Sequence, residues 1–356
     1  LKRLPNLDPL RFFLASLVLL FHLPQLAANQ GLPYFDDLPI FHRGLEAVYM
    51  FFVLSGFLII RIIYRAKIRD AFSIKDFYIR RILRIFPLYY LVLGFGLFFY
   101  NVILPYLNIP FQINYTWKEA LFYNVFFLPN VFAKLYEPGG IIEILWSIGI
   151  EEQFYLMIAP LLFFINVKWI LRVLSFLLLG YFVLYWTNVF EVLKQYTFVF
   201  FYLFTGGVIA ILEEKKKLQF VKRTAIFPLV VCVATIMYYI TDIFMFEPLW
   251  LRSLLTCFFF GFFIHSLAFN NWGIAINSKI LHHLGSISYG IYMFHAIVLN
   301  AVVFLFLEWE ILQNINETLT ILLMLLLTFA GTIVIAHLSY TYFELYFLKM
   351  KNKFRK

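Results

Sequence analysis

Apolar residues in this chain gather in long unbroken runs, and the charged residues fall in the gaps between them rather than on one face of each run. A bilayer-crossing helix needs about 20 mostly apolar residues. That rule predicts spans near 10–28, 45–64, 84–104, 147–166, 169–187, 196–212, 225–241, 250–269, 286–307 and 319–342. The apolar stretch at 119–130, EALFYNVFFLPN, is too short to cross at ~1.5 Å rise per residue and reads as interfacial or re-entrant. The expectation is an all-α integral membrane protein of about ten transmembrane helices with one short re-entrant or interfacial segment near 119–130.

Orientation follows from Lys and Arg, which collect in cytoplasmic loops. With the amino terminus inside, the inner segments hold Lys2, Arg3, the group from Arg61 to Arg84, Lys168, Arg172, Lys215, Lys216, Lys217, Lys222, Arg223, Lys279 and the tail from Lys349 to Lys356. The outer segments hold only Arg43, Lys118, Lys134 and Lys194. If 119–130 crossed fully, every later loop would fall on the wrong side, so both termini are expected in the cytoplasm. The first apolar run carries Arg11 and His22 and lacks a small-residue cleavage pattern, so it reads as a span rather than a signal peptide.

Composition narrows the function classes. Residues of the AVILMFWYC set make up 63%, charged residues 14%, and mean hydropathy is +0.84. These values exclude a soluble enzyme, a disordered chain and a disulfide scaffold. The net charge of +9 belongs to the cytoplasmic loops and does not point to nucleic acid. Cys232 and Cys257 lie in apolar runs with no sign of a bridge or a metal cluster.

Within this apolar background a few polar residues call for an explanation. Arg11 and His22 are eleven residues apart, three turns plus about 20°, so they share a face with His22 about 16 Å deeper. An ionisable residue inside a membrane is costly and marks a functional candidate. Arg80, Arg81 and Arg84 cluster where the third span begins, and Arg binds phosphate bidentately, which suggests a pocket for a phosphorylated cofactor. Glu151 and Glu152 need either partners or a role, which could be orienting an imidazole, accepting a hydroxyl proton, or pairing with Arg252. His295 is a second deep histidine. His265 and His337 read as bonded to neighbouring helices or water, and His282 and His283, in an inner loop, are weaker candidates for touching a polar cofactor.

Together these residues resemble the acyltransferase-3 family of integral membrane acyltransferases, which includes O-acetylases of bacterial surface polysaccharides. The likeness runs through LDPLRFFLASLVLLFH (7–22), FFVLSGFLI (51–59), FYIRRILRIFPLYYL (77–91), WSIGIEEQFYL (146–156) and LGSISYGIYMFH (284–295). Tyr49, with Glu46 nearby, stands where the family commonly has Asp, and Glu344-Leu345-Tyr346 stands for its late Glu-x-Pro pattern. The resemblance implies a transmembrane acyltransferase domain over 1–345 with a basic cytoplasmic tail at 346–356, in a bacterial cytoplasmic (inner) membrane. It also implies an acyl-CoA donor, acetyl-CoA by default, no metal, and a hydroxyl acceptor on a polysaccharide, lipopolysaccharide or lipid-linked glycan.

On this likeness Arg11, Arg80, Arg81 and Arg84 hold the coenzyme A phosphates. His22 acts as general base with Glu151 or Glu152, and Ser147, Ser288, Tyr289 and His295 contact substrate or support the site. Direct attack of the hydroxyl on the thioester and an acyl-histidine relay both fit the spacing. The competing class is a transporter or flippase of a lipid-linked glycan, which would favour the same aromatic content of 21% but commonly shows inverted repeats. The sequence has no such symmetry.

Overall fold

The structure, a computed structural model, describes residues 4–187, 189–269, 276–309 and 315–351, and every regular element among them is helical. Lys2, Arg3, Lys353, Arg355 and Lys356, which bear on orientation, lie outside the described residues, as do the side chains of Lys222, Arg223 and Lys351. In chain order the main helices are α1 (Leu7–Asn29), α2 (Gly44–Ile68), α3 (Ile74–Phe98), α4 (Trp117–Val125), α5 (Pro129–Tyr136), α6 (Leu145–Phe164) and α7 (Ile170–Trp186). They continue with α8 (Phe200–Glu214), α9 (Ile226–Ile240), α10 (Leu249–Phe269), α11 (Lys279–Ser286), α12 (Ser288–Glu308), α13 (Glu317–Ser339) and α14 (Leu345–Lys351).

A helix stands at each of the ten stretches predicted as spans, and among the described residues seven helical segments are long and apolar enough to cross a membrane. The other three, α7, α8 and α9, have 17, 15 and 15 residues. At ~1.5 Å per residue such helices fall short of a hydrocarbon core of about 30 Å. The 119–130 stretch is two short helices, α4 and α5, joined through Phe127 with φ 56°. Neither is long enough to cross.

Helix starts follow from local chemistry. The side chains of Ser73, Ser278 and Asn316 accept from the backbone N–H of Asp76, Leu281 and Leu319, satisfying donors that a first turn leaves unpaired. Thr116 and Glu119 form a reciprocal capping box on α4. One residue, Ile287, separates α11 from α12, and the Ser288 hydroxyl donates to the Gly285 carbonyl at 3.0 Å across the break.

The chain forms two compact units. One comprises Leu1–Phe57 and Leu212–Tyr340; the other comprises Leu58–Ile211 and Thr341–Lys356. In the first, α12 packs on α13 and α1, α1 packs on α11, and α9 on α10. Its apolar core beyond His22 joins Leu23 and Ala27 of α1 to Val298, Leu299, Val302, Val303 and Phe306 of α12 and Met324 of α13. In the second, α3 packs on α6 and α14, and α5 packs on α6. Residues 345–351, expected to belong largely to a tail, therefore form a helix against α3. Lys67 at the end of α2 donates to the carbonyls of Leu162, Phe163 and Ile165, which α6 leaves unpaired at its end.

Candidate active site

In the first unit α1 carries both Arg11 and His22. Phe21 packs so tightly on the start of α2 that a Cβ on Gly44 would lie 2.4 Å from its side chain. His22 is therefore level with the first turn of α2. Its Nδ1 lies 2.8 Å from the Val18 carbonyl oxygen. A carbonyl only accepts, so Nδ1 carries the ring proton and Nε2 keeps a lone pair. That is the form a general base requires. Pro24, two residues on, has no N–H for the Leu20 carbonyl, so the helix ladder is interrupted beside the histidine.

His295 of α12 repeats this arrangement. Its Nδ1 donates to the Tyr292 carbonyl, its side chain is fully buried, and its Nε2 has no hydrogen-bond partner. The two imidazole centroids are 5.1 Å apart with their planes at 41°. The Tyr292 ring lies 5.7 Å from His295 and 6.5 Å from Phe51 of α2. Of the other supporting candidates, Ser288 is buried at the α11–α12 break and Tyr289 follows it half-buried.

Arg11 does not stand alone. Its Nη1 donates to Asp8 Oδ1 at 3.0 Å, and Asp8 Oδ2 lies 3.5 Å from Nδ1 of His282 on α11. Asp8 is buried, whereas the Arg11 side chain keeps 22% of its surface. Sequence reasoning missed Asp8, although its i,i+3 spacing from Arg11 was the available signal. Near it, Asn6 ties the start of α1 to the last turn of α10 and to the chain beyond it, donating to the Leu267 carbonyl and accepting from the Ile276 N–H.

In the second unit the arginines divide. Arg84 is exposed and Arg80 half-buried, while Arg81 has a buried Nε with no hydrogen-bond partner and its guanidinium 5.9 Å from the Phe77 ring. The charged neighbours of Arg81 include Glu152 as well as Arg80 and Arg84. Adjacent residues on a helix face different ways, and the two acids of α6 do so. Glu152 is 5% exposed with Oε1 unpartnered, whereas Glu151 accepts from the Tyr155 hydroxyl at 2.6 Å. Gln153, between α5 and α6, donates to Phe127 O and Asn130 Oδ1. Close packing of Gly149 on Pro129, where a Cβ would meet the ring at 2.5 Å, holds those two helices together. Ser147 is buried one turn earlier, with its hydroxyl 3.5 Å from the Ile144 carbonyl.

The remaining polar residues have local partners. Arg252 contacts Met245 and is a cationic neighbour of Glu46, as is Arg43, which in turn donates to Tyr238 O, Thr241 O and Asp242. His265 bonds Glu213 at 2.9 Å, and His283 bonds His337 at 2.9 Å, so His265 and His337 tie helices together as expected. Among the described residues no group of three or more metal-ligating side chains gathers.

Long apolar helices carrying buried, hydrogen-bonded titratable side chains define a polytopic membrane protein. The model of the acyltransferase-3 family, described as an acyltransferase domain, matches residues 4–337, and the chain belongs to that family. Among its relatives, the peptidoglycan O-acetyltransferase OatA of Listeria monocytogenes is 31% identical over 48% of this chain and 25% of its own length. The putative peptidoglycan O-acetyltransferase YrhL of Bacillus subtilis is 29% identical over 44% of this chain and 23% of its own length. An uncharacterized protein of Haemophilus influenzae is 34% identical over 33% of this chain and 49% of its own. The match thus spans about a quarter of the length of the first two relatives. No solved structure matches the chain.

Proposed function

We propose that the protein moves an acyl group, acetyl first, from cytoplasmic acyl-CoA to a hydroxyl of a cell-surface glycan or its lipid-linked precursor. The observation that carries the reading is the state of His22: an imidazole on a membrane helix of an acyltransferase fold, its Nδ1 proton held by Val18 and its Nε2 lone pair left for a hydroxyl proton. The peptidoglycan O-acetyltransferase name of the Listeria relative supports a glycan acceptor and an acetyl group.

The roles follow residue by residue. Arg80 and Arg84 take donor phosphates through charge-assisted hydrogen bonds, with Arg81, more deeply set, having Glu152 as an acidic neighbour. Arg11, fixed by Asp8, offers its exposed edge to the donor. His22 removes the acceptor proton as the oxygen attacks the thioester carbonyl, and the thiolate leaves. Ten spans with both ends in the cytoplasm, in a bacterial inner membrane, remain our topology, the short α7, α8 and α9 crossing where the bilayer thins around them. The Lys67 tie between the ends of α2 and α6 supports placing those two ends on one side.

Membrane vesicles bearing the protein, given acetyl-labelled acetyl-CoA and an endogenous glycan pool, test the reading. Alkali-labile label in glycan or glycolipid is expected, since an O-acetyl ester is cleaved by base and an N-acetyl amide is not. Glycan without such label, in vesicles whose protein is folded, would overturn it.

A further inference from the structure

We infer that His295 is the proton partner of His22: the two imidazoles act as a pair that passes one proton from the acceptor hydroxyl to the leaving group. The inference rests on the acyl-transfer reading and deepens it. Its basis is geometric. Both rings commit Nδ1–H to a main-chain carbonyl within the preceding helical turn, so the titrating nitrogen of each is Nε2. The rings are in contact at 5.1 Å, and Nε2 of His295 is buried with no partner. A residue needed only for packing there would be an aromatic hydrocarbon, because a buried nitrogen without a hydrogen bond is a standing cost. The aromatic rings beside the pair include Phe21 from α1, Tyr292 from α12 and, across Tyr292, Phe51 of α2. Tyr292 is the titratable one among them.

The step balances. As the acceptor O–H bond breaks, its oxygen forms the new bond to the thioester carbonyl carbon and its proton goes to Nε2 of His22. An imidazolium among apolar helices is costly, and the unpartnered lone pair of His295, on a ring whose centre is 5.1 Å from that of His22, is the base that accepts from the protonated Nε2 once the two nitrogens close to hydrogen-bond distance. The C–S bond then breaks with its electron pair on sulfur, and the thiolate takes the proton from the pair. Both histidines end neutral, as they began. His295 acts through His22 and is a positioning and relay residue rather than a catalytic one.

The test uses the purified full chain in detergent with acetyl-CoA as probe and water as the acceptor hydroxyl, and reads free thiol. His295→Phe keeps the shape without nitrogen, and His295→Gln keeps an acceptor that cannot titrate. Both are expected to lower turnover by about 100-fold, the range of a lost proton-transfer step. Half-saturation by acetyl-CoA should stay within about twofold, because ground-state binding is untouched. In His295→Ala, added imidazole should restore thiol release in proportion to its neutral fraction, and toluene, of similar shape without nitrogen, should not. Wild-type turnover in His295→Phe or His295→Gln, or equal rescue by toluene, would overturn the relay while leaving His22 in place. If His22→Ala released thiol as fast as wild type, the catalytic role of His22 would fall first and the relay with it, while absence of acetyl-CoA binding and thiol release in folded wild type would overturn the acyl-CoA reading on which both rest.

Discussion

A methyl group added to Gly285 would lie 2.1 Å from the carbonyl oxygen of Asp8, closer than any two such atoms can approach. The main chains of α11 and α1 touch at this point, just where Asp8 holds Arg11 and faces His282. The obstacle is backbone, not a flexible side chain, so it has no easy way to give. Gly285→Ala is expected to destabilise the protein by about 1–3 kcal/mol, the range for overpacking a tight contact. A lower melting temperature in detergent checks it, and an unchanged one would show that α11 shifts freely on α1.

Asp8 should matter as much as the arginine it holds. Asp8→Ala removes the partner of Arg11 and is expected to weaken acetyl-CoA binding, whereas Asp8→Asn keeps an acceptor oxygen for the guanidinium and should retain more of it. Binding of labelled acetyl-CoA to the two variants distinguishes them. Equal binding by both would free Arg11 from this dependence.

The acids of α6 should differ sharply. Glu152 is buried with Oε1 unpartnered and Arg81 among its charged neighbours, and disturbing a buried polar group of this kind typically costs about 1–3 kcal/mol. Glu152→Gln is therefore expected to lower stability and activity far more than Glu151→Gln, whose half-buried carboxylate is bonded by the Tyr155 hydroxyl. Adding Arg81→Met to Glu152→Gln should cost less than the sum of the two changes, because each single change strands the other group. Additive losses would show that the two side chains do not interact.

The α4–α5 pair carries a pH dependence that can be read locally. The Thr116 backbone N–H, then the Thr116 and Tyr136 hydroxyls, hold the Glu119 carboxyl below the usual carboxylate range, and the bond to Glu119 pushes the Tyr136 hydroxyl up to about 12. A depressed carboxyl stabilises the fold above its unfolded pKa and loses that contribution as pH falls through its folded one. Amide exchange in 116–136 should therefore speed up below about pH 4 relative to the rest of the chain. Glu119→Gln, which keeps the cap geometry but cannot titrate, should flatten the dependence. A pH response unchanged in that variant would place its origin elsewhere.

Much of this fold could be read from the sequence because hydrocarbon thickness and charge leave little choice: long apolar runs such as 45–64 become helices such as α2. Composition could not tell α7, α8 and α9 from their longer neighbours, since where a helix stops depends on local turns such as Thr187 and Thr241 rather than on hydropathy. The Arg11–His22 face was visible as spacing. What spacing could not supply was the partner of each group. That His22 meets His295, almost three hundred residues on, depends on the packing of α1 against α12, and no local pattern encodes it. Likewise Glu151 and Glu152 were indistinguishable in the sequence, and only the packing of α3 against α6 separates the buried acid from its neighbour.

The most direct measurement is thiol release from acetyl-CoA by the purified protein, wild type beside His22→Ala, together with acetyl-CoA binding to both. The account predicts saturable binding in each and thiol release in the wild type alone, with at least about a 100-fold loss on removing the imidazole. Thiol release at the wild-type rate by folded His22→Ala, or absence of acetyl-CoA binding by folded wild type, would contradict it.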